Sequence, residues 1–129
     1  MHVRQTIGVR GEHLAARYLE ALGYTTLTIN FSVHRVGEID LVMQRGDYVV
    51  CVEVKTRHNR KVPFEFLIPR EKQRKIIMTA RHLVQQYDLC DAVVRFDVVF
   101  VDLSGTVPAI THIENAFQAV VAIARRTHQ

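Results

Sequence analysis

Residues 37–56 read GEIDLVMQRGDYVVCVEVKT, two apolar segments that meet at Gly46-Asp47. Glycine at the first central position of a two-residue loop suits a type II′ β-hairpin, whose twist matches antiparallel strands. We therefore predict paired strands over residues 36–44 and 48–56. Because side chains alternate between the faces of a strand, the charged residues of both segments fall on one face and the other face is apolar. This alternation predicts one face packed in the core and one face available for chemistry.

The hairpin register brings two acidic residues together. Counting outward from the turn places Asp40 opposite Glu53 and Glu38 opposite Lys55. Opposed Cβ atoms lie ~4.5–5.5 Å apart, so the two carboxylates would repel each other unless a cation sat between them. Oxygen-only ligation by two carboxylates and several waters suits Mg²⁺, with Mn²⁺ as a substitute. Two carboxylates and a lysine at one spot are the minimum set for metal-dependent phosphodiester cleavage.

A simpler interpretation of the same residues stays open. Glu53-Val54-Lys55 taken alone is also typical of a solvated strand face or a cross-strand ion pair. That interpretation does not explain well why a second carboxylate, Asp40, lies in register with Glu53. A charge on an apolar strand is costly unless it has a partner or a function.

Size and composition indicate one globular domain over residues 1–129. The chain is 48% hydrophobic and is long enough to bury a single core. Its apolar runs are too short to span a membrane, and its N-terminus lacks the apolar region of a secretory signal. The two cysteines, Cys51 and Cys90, show no disulfide spacing, and the seven histidines show no zinc-binding pattern. We expect a cytoplasmic protein with no membrane partner.

The positive charge is concentrated after the second strand. The whole chain has a net charge of +4, but residues 55–81 contain nine Lys and Arg against two Glu. Cations beside an acidic metal pocket are what a nuclease needs, because they hold phosphates while carboxylates hold the metal. The alternative is a solvated helix face. We predict that six of these cations bind DNA: Arg57, Arg60, Lys61, Arg70, Lys72 and Lys75.

The remaining elements follow from periodicity and turn residues. The order α-β-β-β-α-β-β-α predicts an α/β fold in which a mixed β-sheet is flanked by helices. The loop from residue 57 to residue 69 carries an unusual apolar patch at residues 64–68. Besides the hairpin, we expect helices at residues 8–22, 70–87 and 114–126, and strands at residues 24–33, 93–103 and 109–113.

Glu12 lies on or beside the apolar stripe of the first predicted helix. It precedes Ala15 by three residues and Leu19 by seven, so its side chain should point toward the sheet. One interpretation is a helix-start acid that stabilises the helix dipole. The other is a third acidic group that reaches the metal pocket directly or through water.

With these residues in view, the chain resembles the YraN-like family of small uncharacterised bacterial proteins, within the PD-(D/E)-x-K, restriction-endonuclease-like superfamily. The resemblance rests above all on GEIDL at residues 37–41 and VEVKTR at residues 52–57. Further matches cover nearly the whole chain: Gly8-x-x-Gly11-Glu12-x-x-Ala15 with Tyr18-Leu19, Gly23-Tyr24, Asn30, Lys72, residues 95–99 (RFDVV) and residues 115–117 (NAF). Bulky Phe64, Phe66 and Leu67 depart from the pattern of small residues in the substrate loop.

The resemblance implies a restriction-endonuclease-like fold and a metal-dependent DNA nuclease, similar to archaeal Holliday-junction resolvases. It implies that Asp40 and Glu53 bind Mg²⁺ together with the Val54 carbonyl. It further implies that Lys55 orients the attacking water and that Glu12 is an auxiliary acid or ligand. Branched or flapped DNA is the expected substrate in repair or recombination, and cleavage of a four-way junction implies, by analogy, a homodimer. The alternative is a non-catalytic module that binds nucleic acid or docks a protein through residues 64–68.

Overall fold

The computed structural model describes residues 3–63 and 68–119. Five strands form one mixed sheet in the spatial order β1-β2-β3-β4-β5, in which only the β3–β4 pair is parallel. The second helix connects these two parallel strands, and the observed order α-β-β-β-α-β-β confirms the predicted α/β fold. The bounds are α1 Val3–Ala21, β1 Thr25–Val33, β2 Gly37–Arg45, β3 Tyr48–Arg57, α2 Arg70–Gln86, β4 Val93–Asp102 and β5 Ala109–Phe117.

The β2–β3 hairpin has the predicted register near its turn. Gly46 has a φ of 58°, as the first central residue of a type II′ turn requires. The paired positions run from Arg45 opposite Tyr48 to Leu41 opposite Val52. The backbone ladder ends there, so the expected pairs of Asp40 with Glu53 and of Glu38 with Lys55 are not part of it. The Asp40 and Glu53 side chains nevertheless interact.

Where β2 and β3 separate, a hydrogen bond from the backbone to a side chain takes the place of backbone pairing. The Val54 backbone N–H donates a hydrogen bond to Asp40 Oδ2 at 2.8 Å. Alternation along β2 also breaks at this point, because Ile39 packs in the core on the α2 side and Leu41 packs in the core on the α1 side. Asp40 thus lies where the strand changes face.

Both faces of the sheet are buried, which corrects the expectation that one face would be left for chemistry. Val42 and Cys51, on the expected chemical face, pack with α2, whereas Met43 and Val50 pack with α1. The two helices cover opposite faces, and the acidic residues Asp40 and Glu53 lie at the end of the sheet where β2 and β3 diverge. The candidate site is therefore confined to this end.

Each helix buries a narrow stripe of side chains. In α1, Ala15 and Leu19 are buried, whereas Tyr18 and, just beyond the helix, Leu22 are exposed. In α2, the buried stripe is Ile76, Thr79, Ala80 and Leu83. Within residues 3–63 and 68–119, neither helix combines the length and apolar character needed to cross a bilayer.

The last strand is longer than expected. Residues 114–117 continue β5 instead of starting a helix, and the rest of that expected helix beyond residue 119 lies outside the described residues. Tertiary contacts explain the difference: the Asn115 N–H donates to the carboxylate of Asp97 at 2.9 Å, and the Phe117 ring stacks on Phe96 at 5.0 Å. Residues 64–67 of the apolar loop also lie outside the described residues, and Ile68 is buried in the core.

Candidate active site

A cavity of about 580 Å³ opens at the end of the sheet where β2 and β3 separate. Its lining includes Glu12 from α1, Asp40 from β2, Glu53 from β3 and Lys72 from α2. Another cavity, of about 460 Å³, lies between α2 and strands β4 and β5, and none of the described residues that line it is acidic. Paired carboxylates therefore distinguish the first cavity.

Asp40 is a carboxyl group whose charge is poorly compensated. The pKa of Asp40 is raised from 3.8 to about 8, first by burial and then by the negative charge of Glu53, while the hydrogen bond from the Val54 N–H opposes the shift. A hydrogen bond between the two carboxyl groups and the charge of Glu12 act in the same upward direction. The site favours a proton or another cation at Asp40.

Glu53 on β3 is almost completely buried and forms an ion pair with Lys72 on α2. Its side chain is only 7% exposed, whereas the Lys72 side chain is 52% exposed. Lys72 Nζ forms an ion pair with Glu53 Oε2. Burial works to lower the pKa of Lys72, but the hydrogen bond to Glu53 and the charges of Glu53, Asp40 and Glu38 outweigh burial and raise it.

Glu12 points into the cavity, as its helical position predicts. Burial raises the pKa of Glu12, although hydrogen bonds to Asn30 and Asp40 oppose the shift. The preceding Gly11 brings α1 close to β3, because a Cβ at that position would collide with the Thr56 side chain. Whether Glu12 acts as a ligand or as an auxiliary acid stays a prediction.

Lys55 is less central than the motif suggests. It is partly buried on β3, two residues after Glu53. Among the described residues that line the cavity, β3 contributes Glu53, Val54 and Thr56, but Lys55 is not included. The structure thus brings Asp40, Glu53, Val54 and Glu12 together and places Lys55 beside them on the same strand.

The predicted DNA-binding cations fall into three groups. Lys72 lies inside the cavity, where it contacts Glu53. Arg57 also lines the cavity, and its guanidinium donates to Asp102 at 2.9 Å and to the Val62 carbonyl at 3.0 Å. The other four are exposed, on the loop after β3 or on α2: Arg60, Lys61, Arg70 and Lys75.

Two residues of the site had no specific role in the sequence-based prediction. Asn30 takes a φ of 59° on the edge strand β1 and hydrogen-bonds to Glu12. Lys72 was predicted only as a phosphate contact. Asn30 and Lys72 both belong to the segments that carry the family resemblance, which is the only sequence feature that could have indicated a role for them in the site. Their contacts depend on strand divergence and helix docking, which local periodicity does not encode.

The residues present fit a hydrated Mg²⁺ or Mn²⁺ ion. Within the described residues, no group of three or more His, Cys, Asp and Glu side chains is arranged to hold a metal. Mg²⁺, however, usually keeps several waters and binds proteins through one or two carboxylates. Asp40 and Glu53 supply only oxygen donors, and burial together with the charge of Glu53 raises the pKa of Asp40. The pair matches this mode of binding.

Comparisons with known proteins agree on one family. The sequence model of the uncharacterised protein family UPF0102 matches residues 11–101, which include Glu12, Asp40, Glu53 and Lys72. A UPF0102 protein of Geobacter metallireducens is 41% identical over 115 residues, covering 88% of this chain and 93% of the relative. One of Geobacter sulfurreducens is 42% identical over 120 residues (91% and 92%), and one of Legionella pneumophila is 38% identical over 117 residues (89% and 97%). None of these names states an activity.

Proposed function

The chain belongs to the uncharacterised protein family UPF0102, and we propose that it is a divalent-metal-dependent endonuclease that hydrolyses DNA phosphodiester bonds. One observation carries the proposal: Asp40 and Glu53, carboxylates from adjacent strands, interact in a cavity that also contains cationic side chains. Acidic groups that need a cation, beside cations that can hold phosphates, suit phosphodiester hydrolysis.

The metal would be held by Asp40 and Glu53, with the Val54 carbonyl as a further oxygen donor. When bound, Mg²⁺ or Mn²⁺ would polarise the scissile phosphate and lower the pKa of a coordinated water. The Val54 N–H fixes the orientation of the Asp40 carboxylate. Glu12, which hydrogen-bonds to Asp40, would hold that carboxylate in place and accept a proton from the solvent side.

Lys55 would act on the reacting groups without binding metal. An ammonium group cannot coordinate a cation, but it can orient the attacking water and offset the charge that develops on the phosphate. Lys55 lies on β3, two residues beyond Glu53, and strand alternation directs both side chains to the same face. Such a contribution is realised mainly in the transition state.

The four exposed cations would hold the DNA backbone. Arg60 and Lys61 lie on the loop after β3, and Arg70 and Lys75 lie on α2; both segments also contribute residues to the cavity lining. Phosphate contacts position DNA without reading its sequence. We propose that the enzyme acts on branched or flapped DNA and that a homodimer would be needed to cleave a four-way junction symmetrically.

A second candidate function is a nucleic-acid-binding module without catalysis. Its support is that Lys55 is not among the described residues that line the cavity and that Lys72 already neutralises Glu53. In this alternative, Asp40, Glu53 and Lys72 stabilise the end of the sheet. The two functions differ in whether bound DNA is cleaved.

The test is cleavage of linear, flapped and four-way DNA in the presence of Mn²⁺, with Lys55→Ala as the variant and Lys61→Ala as a control of equal charge. We expect wild-type cleavage, and a loss of roughly 10²–10³ in the single-turnover rate of Lys55→Ala at saturating enzyme. Lys61→Ala should change mainly DNA affinity. Binding without cleavage of any substrate would favour the module, and Lys55→Ala cleaving at the wild-type rate would remove Lys55 from the mechanism.

A further inference from the structure

We propose that Lys72 and the metal compete for Glu53, so that metal binding releases the Lys72 ammonium to contact a substrate phosphate. The inference rests on the proposed function and adds a form of regulation to the same site. Without metal, the Lys72 ammonium forms an ion pair with Glu53 and so occupies one of the two carboxylates that would bind the metal. With metal bound, the lysine becomes part of the DNA-binding surface.

The contact that carries this inference joins two layers of the fold. Lys72 lies in the first turn of α2, and its ammonium reaches across the cavity to Glu53 on β3. The same ammonium is attracted by Asp40 and Glu38. It therefore lies within the field of the carboxylates proposed to bind the metal, and a cation that binds Glu53 must displace it or share the carboxylate with it.

The two partners differ in their freedom to move. Glu53 is 7% exposed and is fixed within the central strand β3, whereas the Lys72 side chain is 52% exposed. A lysine side chain is long and flexible, so its ammonium can leave the carboxylate without any change in the helix. The ion pair that the structure shows for Glu53 within the described cavity lining is the one with Lys72.

The released ammonium would remain at the opening of the cavity. Arg57, also in the cavity lining, is held by the Asp102 carboxylate at 2.9 Å, so the two cations of the lining have different partners. The partner of Lys72, Glu53, is itself a proposed metal ligand. Metal binding and phosphate binding would thus be coupled through one side chain, and such coupling is reciprocal.

The test is calorimetric titration of Mn²⁺ without DNA into wild type, Lys72→Met, Lys72→Arg and Arg74→Met. Arg74→Met is the matched control, because Arg74 lies on the same helix, is 74% exposed and pairs with Glu71. We expect Lys72→Met to bind Mn²⁺ roughly 5- to 10-fold more tightly, the size of a partly exposed ion pair. Lys72→Arg keeps the competing charge, so it and Arg74→Met should stay within about twofold of wild type. Circular dichroism confirms that each variant is folded.

A second readout is the affinity for a short DNA duplex with and without Ca²⁺, an oxygen-liganded cation. Without metal, Lys72→Met should change DNA affinity little, because the wild-type ammonium is held by Glu53. With Ca²⁺, the variant should bind DNA several-fold more weakly than wild type. A purely structural role for Lys72 would move both affinities in the same direction.

The outcomes separate this inference from the proposed function. If wild type binds Mn²⁺ and folded Lys72→Met binds it no more tightly, the competition is refuted and the metal site stands. If wild type shows no binding and Lys72→Met does bind, the competition is supported in its strongest form. If neither protein binds Mn²⁺, both the competition and the metal-dependent function fail.

Discussion

Asp40 is the residue on which the site depends, because it joins the two strands at the point where their ladder ends. Its carboxylate accepts a hydrogen bond from Val54 and also faces Glu53, so it is both a structural acceptor and a charge without a full counter-charge. At such a position the ionised carboxylate that would bind a metal lowers the stability of the metal-free protein. The consequence can be measured in the metal-free protein.

We expect Asp40→Asn to flatten the dependence of stability on pH. The pKa of Asp40 is raised from 3.8 to about 8 in the folded protein, mainly by burial. A raised pKa means that the folded state binds more protons than the unfolded state between about pH 4 and pH 8. The contribution of Asp40 to stability is therefore complete below pH 4 and is lost as the pH rises to about 8, by at most about 1.4 kcal/mol for each pH unit in that range.

The measurement is urea unfolding in EDTA at several values between pH 4.5 and pH 8.5. Asparagine keeps the carbonyl that accepts the Val54 N–H but cannot ionise, so the variant should gain stability relative to wild type as the pH rises. Asp47→Asn, in the exposed β2–β3 turn, is the control and should follow wild type. Parallel curves for wild type and Asp40→Asn would show that Asp40 is not held with a raised pKa.

At the scale of elements, the site requires α1 to approach the end of β3 closely. Gly11 makes this approach possible, since the nearest atoms to a Cβ there all belong to Thr56. The next residue, Glu12, then reaches Asp40 and Asn30. Helix–strand spacing, rather than any property of Glu12 alone, brings the third acidic group to the cavity.

Gly11→Ala should therefore destabilise the protein, although alanine usually favours a helix by about 1 kcal/mol over glycine. Overpacking against Thr56 should cost about 1–3 kcal/mol in the free energy of unfolding. Thr56→Ala in the same chain should recover much of this loss, which a double-mutant cycle measures. Gly105→Ala is the control, because its Cβ would meet only the Val107 carbonyl at 3.7 Å. Stabilisation by Gly11→Ala alone would contradict the close approach.

The secondary-structure elements also show which features of the fold could be predicted from sequence patterns and which could not. The hairpin register near Gly46 and the extent of α2 could be predicted, because turn geometry and periodicity are local properties. The extension of β5 through Phe117 could not, since it depends on Asp97 and Phe96 of the neighbouring strand. Local helical periodicity at residues 114–117 was overridden by these contacts.

For the whole molecule, the order of elements followed from the sequence, but the location of polar chemistry did not. Alternation suggested a polar face, whereas helices cover both faces and the acidic cavity lies at one end of the sheet. Asp40 and Glu53 still meet, through strand divergence instead of direct pairing. Lys72 joins them from α2, more than thirty residues from Asp40 in the chain, a contact that no local pattern could reveal.

The central claim is that this fold gathers Asp40 and Glu53 to bind a divalent cation. The most direct measurement is calorimetric titration of Mg²⁺ and Mn²⁺ into wild type, Asp40→Asn, Glu53→Gln and the turn control Asp47→Asn. We predict one site in wild type and in Asp47→Asn, and an affinity at least about tenfold weaker in each of the other two variants, because each removes one of two charged ligands. Metal binding that persists unchanged in both Asp40→Asn and Glu53→Gln, or its absence from both wild type and Lys72→Met, would contradict the claim.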